Sequence, residues 1–153
     1  MNTKTDIQAF LRQQRLPPSH EKTVNTWYLP LAGRLAGHHA EAGRPLLVGL
    51  NGSQGSGKST LAALLVQLLT DVHGLRAIDL SIDDFYLSRK TRQALASQVH
   101  PLLATRGVPG THDVCLLLET LQQLTQGTTM LAVPCFDKAS DDRCPESEWL
   151  ALT

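Results

Sequence analysis

Residues 52 to 60 read GSQGSGKST and match the pattern G-x-x-x-x-G-K-[ST]. Glycines at that spacing let the backbone curl until successive N–H groups point inward, and a helix opening immediately afterwards adds partial positive charge. Such a cradle suits a chain of phosphates. Lys58 is then placed to lie against the β- and γ-phosphates of a nucleotide, and the Ser59 hydroxyl to ligate Mg2+. At average residue usage, chance produces the pattern in under ~1% of chains of this length.

A second cluster is SIDDFY, residues 81 to 86. Moving a phosphoryl group onto a hydroxyl calls for a carboxylate within hydrogen-bond reach of that hydroxyl, to orient it and take its proton. Asp83 suits this role, and Asp84 suits a water on Mg2+. Adjacent acids after a strand also cap turns, and that reading stands beside the catalytic one.

Elements that bring these clusters together follow from periodicity. RPLLVGLN, residues 44 to 51, is apolar without alternation, as in a parallel strand covered on both faces. Leu61, Leu64, Leu65, Leu68 and Val72 then form one helical stripe, and Gly74 supplies its stop. Residues 77 to 82 alternate Ile78, Leu80 and Ile82 against Asp79 and Ser81, which predicts a second strand and a βαβ unit. Parallel strands end on one sheet edge, so Asp83 is expected beside the phosphate loop.

Elsewhere, residues 6 to 14 predict a short helix, and residues 23 to 43 a second helical stretch interrupted by Pro30. A polar helix is expected from Ser88, a long loop over residues 100 to 113, a helix from Val114 to Leu124 closed by Gly127, and a short strand at MLAVP, residues 130 to 134. The expected organisation is an N-terminal helical segment over residues 1–44 and a phosphate-loop domain over residues 45–153.

Composition narrows the function classes. The 153 residues carry 14 Lys and Arg against 14 Asp and Glu with no run of one sign, which disfavours nucleic-acid and membrane-surface binding and points to a small-molecule partner. Three widely spaced cysteines, with no Cys-x-x-Cys pair, fit neither a disulfide framework nor a zinc site. The N-terminus lacks a signal-peptide core, and a cytoplasmic protein is expected.

Four blocks carry a family resemblance: GSQGSGKSTLA, SIDDFYLSRKTRQALA, HPLLATRGVPGTHDV and PCFDKASDDR, in this order. Together they resemble the D-glycerate 3-kinase group within the P-loop family of uridine kinase, phosphoribulokinase and pantothenate kinase. The resemblance implies an α/β fold, a P-loop NTPase-type three-layer αβα arrangement with a mostly parallel sheet, and phosphorylation of the 3-hydroxyl of D-glycerate with ATP and Mg2+. It makes Gly52, Ser53, Gln54, Gly55, Ser56, Gly57, Lys58, Ser59 and Thr60 the ATP phosphate site and Asp83 the base. Tyr86, Arg106, His112 and Asp113 would line the acceptor pocket, with Asp137, Lys138 and Arg143 beside it. Arg106, Lys138 and Arg143 are the cations suited to a carboxylate on the acceptor.

Several of these residues have plainer readings: Asp113 as the N-cap of the helix that follows it, His112 as a packing histidine, and residues 138 to 143 as a solvated charged loop. The resemblance also implies a longer protein, with a further central strand, a lid and the adenine contacts following Trp149, so an incomplete sheet is expected here. The acceptor stays open between D-glycerate and another hydroxyl metabolite such as a nucleoside or pantothenate. A module that binds ATP without transferring phosphate is the competing class.

Overall fold

The computed structural model describes residues 6–127 and 130–152. The chain resolves into two compact units, Met1–Asp79 and Leu80–Thr153.

The first unit is helical around one apolar cluster. Helix α1, Ile7–Gln13, is capped by Asp6, whose Oδ1 accepts the Ala9 N–H at 2.8 Å. Helix α2, His20–Thr23, runs through a π-helical stretch, Val24–Tyr28, into α3, Leu29–Ala42. Pro30 therefore does not interrupt the helical stretch as expected. It falls in the first turn of α3, where a missing N–H is tolerated, and the wider π turn precedes it. Helix α4, Lys58–His73, starts at Gly57 and stops at Gly74, both with positive φ, as an αL cap requires. Phe10, Leu11, Val24, Ala32, Leu64, Leu65 and Leu68 are buried together. At about 1.5–3 kcal/mol for each large apolar side chain, this cluster accounts for the packing of α1 and α3 with α4.

The second unit is built from turns and short antiparallel pairs. A 3-10 turn, Ile82–Phe85, leads through Ser88, whose hydroxyl accepts the Thr91 N–H at 3.2 Å, into α5, Arg89–Gln98. Another 3-10 turn, Pro101–Ala104, lies in the expected long loop, and Asp113 caps α6, Val114–Thr125. Strand β1, Leu131–Val133, pairs antiparallel with β4, Leu150–Leu152; between them β2, Phe136–Asp137, pairs antiparallel with β3, Asp142–Arg143.

Both sheets among the described residues are two-stranded and antiparallel, so the expected βαβ unit and mostly parallel sheet are corrected. Residues 46–51 are not a strand, and Leu47 and Val48 are more than half exposed. Residues 77–82 are not one either, for Ile78 is exposed and Ile82 opens the 3-10 turn. The residue pattern was that of a buried strand, but a strand exists only where a neighbour completes its ladder, and among the described residues neither segment has one. No helix among the described residues is long and apolar enough to cross a membrane.

Candidate active site

In the first unit the predicted cradle is formed. Gly55 and Gly57 adopt φ +76° and +85°, left-handed values that favour glycine, and so turn the backbone around a hollow. At Gly52 an added Cβ would come within 2.9 Å of Ser56 Oγ, a hydroxyl that can rotate aside. Lys58 leads α4 but turns back, its Nζ donating to the carbonyls of Gly52 at 2.6 Å and Ser53 at 2.8 Å. A cavity of about 310 Å3 is lined by Gly55, Ser56, Gly57, Lys58, Ser59 and Thr60. The N–H groups of the first turn of α4 have no intrahelical acceptors, and the macrodipole is positive there, so the lining fits an anion. Ser59 stands exposed on that turn, available as one oxygen ligand to Mg2+, whose other ligands are ordinarily phosphate oxygens and water.

The second unit gathers another set. Asp83 caps nothing with its carboxylate: Oδ2 accepts from Lys138 Nζ at 2.9 Å and Oδ1 from the Tyr86 hydroxyl at 3.2 Å. The Lys138 hydrogen bond, against a smaller upward push from burial, holds the Asp83 carboxyl below the ordinary value. Burial, then the Asp83 charge, raises Tyr86, which remains a neutral donor. The Tyr86 ring stacks on His112 with centroids 4.3 Å apart and meets Phe136 edge-on at 5.2 Å. His112 Nε2 is buried with no hydrogen-bond partner among the described residues.

Arginines frame this set. Arg143 donates to the Tyr86 carbonyl through Nε at 3.1 Å and Nη2 at 2.9 Å, and to Asp113 Oδ2 at 3.0 Å. Asp113 serves α6 at the same time, its Oδ1 accepting the Leu116 N–H at 3.1 Å, so the capping reading of Asp113 holds alongside a place in the cluster. Arg106 Nη1 donates to Asp141 Oδ1 at 2.5 Å, and its guanidinium lies 5.7 Å from the centre of the Phe136 ring.

Of the predicted residues, then, the fold brings Asp83, Tyr86, His112 and Lys138 into direct association, with Arg106, Arg143 and Asp113 behind them. Asp137 closes its own turn, accepting the N–H groups of Ala139 and Ser140 at 2.9 and 3.1 Å. Asp84 Oδ1 accepts the Phe136 N–H at 3.2 Å, which ties the 3-10 turn to β2. Among the described residues no three His, Cys, Asp or Glu side chains converge as a metal cluster. The Cys135 thiol, pushed up to about 12 first by burial and then by a hydrogen bond with Cys144, stays protonated and offers no thiolate nucleophile.

Two residues were missed by sequence reasoning. Arg92 is fully buried in α5, donating to the carbonyls of Leu87, Ala104 and Asp141 and to Asp141 Oδ2 at 3.0 Å. Asp141, which also holds Arg106, adopts a left-handed φ of 57°. Nothing in the polar stretch around Arg92 marks it as interior, and Asp141 reads as one more charge in a loop.

The curated relatives follow these features. Uncharacterized kinase mug58 of Schizosaccharomyces pombe is 40% identical over 114 residues, a match taking in 70% of this chain and 41% of that protein. The probable ATP-dependent kinase TDA10 of Saccharomyces cerevisiae is 37% identical over 123 residues, covering 71% of this chain and 42% of that protein. Among solved structures, a D-glycerate 3-kinase from Cryptococcus neoformans var. grubii superposes with a TM-score of 0.68 at 28% identity, over 90% of this chain and 49% of that one. No protein-family model matches. The chain thus spans less than half the length of each of these proteins.

A glycine cradle closed by a lysine at a helix N-terminus is the geometry of a phosphate loop. Over the part of their length that it matches, the chain is similar to these kinases.

Proposed function

We propose that this chain carries the phosphate loop and the acceptor-side residues of an ATP-dependent kinase that converts D-glycerate to 3-phosphoglycerate. The cradle of residues 52 to 60 holds the triphosphate, Lys58 exchanges its loop carbonyls for β- and γ-phosphate oxygens, and the Ser59 hydroxyl takes Mg2+. Asp84, next to the base, is the second unit's candidate to hold a water of Mg2+. Asp83 orients the acceptor hydroxyl and accepts its proton as the oxygen–phosphorus bond forms and the bond from phosphorus to the ADP oxygen breaks. Tyr86 and His112 form one wall of the acceptor pocket, with Asp113 and Arg143 fixing Tyr86 from behind and Asp137 shaping the adjoining turn.

The observation that carries this reading is the Asp83 carboxylate held between Tyr86 and Lys138, whose exposed ammonium suits a small anionic acceptor. It favours a hydroxy acid over a nucleoside. The test is 31P NMR of the complete gene product with ATP, Mg2+ and, in turn, D-glycerate, pantothenate and uridine. Phosphorylation of D-glycerate, lost in Asp83→Asn with ATP binding retained, is expected. Transfer to uridine instead would replace the acceptor, and ATP binding with no transfer to any of them would leave only a binding module.

A further inference from the structure

Three cations were candidates for the carboxylate of the acceptor, and their surroundings separate them. Arg143 is spent on the Tyr86 carbonyl and Asp113, and its side chain is only 19% exposed. Arg106 is clamped to Asp141 and lies against the Phe136 ring. Lys138 is different: its side chain is 61% exposed, and its ammonium sits on Asp83 Oδ2, the atom that the proposed mechanism needs. An exposed lysine–carboxylate pair is weak and easily exchanged, because water solvates both separated ions well. The groups gathered around Asp83 are Lys138 from the β2–β3 hairpin, Tyr86 from its own turn, and His112 stacked on Tyr86, with Arg106 donating to the Lys138 carbonyl at 3.4 Å.

We propose that Lys138 is an acceptor-operated latch, which occupies Asp83 until the carboxylate of an anionic acceptor draws the ammonium away and leaves Oδ2 open to the acceptor hydroxyl. This inference rests on the reading of Asp83 as the base. One ion pair is exchanged for another, with no net change in charge pairing. The latch selects acceptors that carry both an anion and a hydroxyl, and it keeps Asp83 from activating water while ATP waits without an acceptor. Lys138 is thus a positioning and specificity residue acting through Asp83, distinct from the base itself.

The experiment compares Lys138→Met and Lys138→Arg with the unaltered complete gene product. Calorimetry measures binding of D-glycerate and of glycerol, its neutral counterpart, in the presence of a non-hydrolysable ATP analogue. Steady-state assays measure transfer and ATP hydrolysis without an acceptor. In Lys138→Met, D-glycerate is expected to bind about tenfold or more weakly, the usual effect of losing a hydrogen bond to a charged group, while glycerol, no longer shut out of Asp83, binds more tightly than to the unaltered protein. Hydrolysis without acceptor should rise several-fold, and Lys138→Arg should restore D-glycerate binding. Equal D-glycerate binding by Lys138→Met and the unaltered protein overturns the latch whether or not any transfer occurs. Unchanged hydrolysis in Lys138→Met overturns it while leaving the kinase reading intact. If instead Asp83→Asn transfers phosphate normally, the base assignment fails and the latch fails with it.

Discussion

Replacing Asp141 by Asn tests whether the second unit depends on the charge that neutralises its buried arginine. Arg92 is fully buried and reaches Asp141 Oδ2 at 3.0 Å, while Oδ1 takes Arg106 at 2.5 Å. Asparagine keeps the side-chain shape and tolerates the left-handed φ of 57° at this position, so the substitution removes charge with little added backbone strain. Breaking a buried ion pair costs about 3–5 kcal/mol. The Asp141 side chain is 38% exposed and its backbone carbonyl still accepts from Arg92 at 2.6 Å, so solvent screening discounts this range to about 2 kcal/mol. With a urea slope of about 1.5 kcal/mol/M, the unfolding midpoint should drop by roughly 1.3 M. Each unit has one tryptophan, Trp27 in the first and Trp149 in the second. A Trp27→Phe background therefore makes fluorescence report the second unit alone, through an indole that donates to the Cys144 carbonyl at 3.0 Å. A midpoint drop under about 0.3 M would show that the buried guanidinium does not need this carboxylate.

The same residue predicts an acid limb. Burial pushes the Asp141 carboxyl up, but the hydrogen bonds and charges of Arg92 and Arg106 outweigh it and hold the carboxyl below its ordinary value. Its stabilising contribution is therefore complete above the unfolded carboxylate range and is lost as pH falls through the lower folded value; urea midpoints should fall there in the unaltered chain and fall less in Asp141→Asn. In the phosphate loop, Gly57→Ala forces a side chain into φ +85°, at a cost of about 1–2 kcal/mol, and ATP affinity measured by calorimetry should fall about tenfold while Trp149 fluorescence is unaffected.

What was readable in the sequence is what local rules decide. Ser88 and Asp113 cap helices because a side-chain oxygen three residues ahead of an N–H is enough to do so, and Gly57 and Gly74 bound α4 because the chain must turn left-handed there. The cradle is equally local, a run of nine residues with the lysine inside it. Residues 46 to 51 carry the apolar composition of a buried strand, but a ladder is a property of two segments and cannot be read from one. The acceptor cluster was legible in membership yet not in roles: Lys138 meets Asp83 across 55 positions of sequence, and Arg143 meets Tyr86 across 57. Arg92 was hidden because its interior position depends on carbonyls from three separate turns.

The inward bend of Lys58 bears on how quickly a ligand is captured. Because its ammonium bridges the carbonyls of Gly52 and Ser53, the protein's own cation fastens the curl. For the proposed triphosphate ligand, such a curl would leave only one flexible side chain to reorder, so little ordering entropy would fall on the binding step.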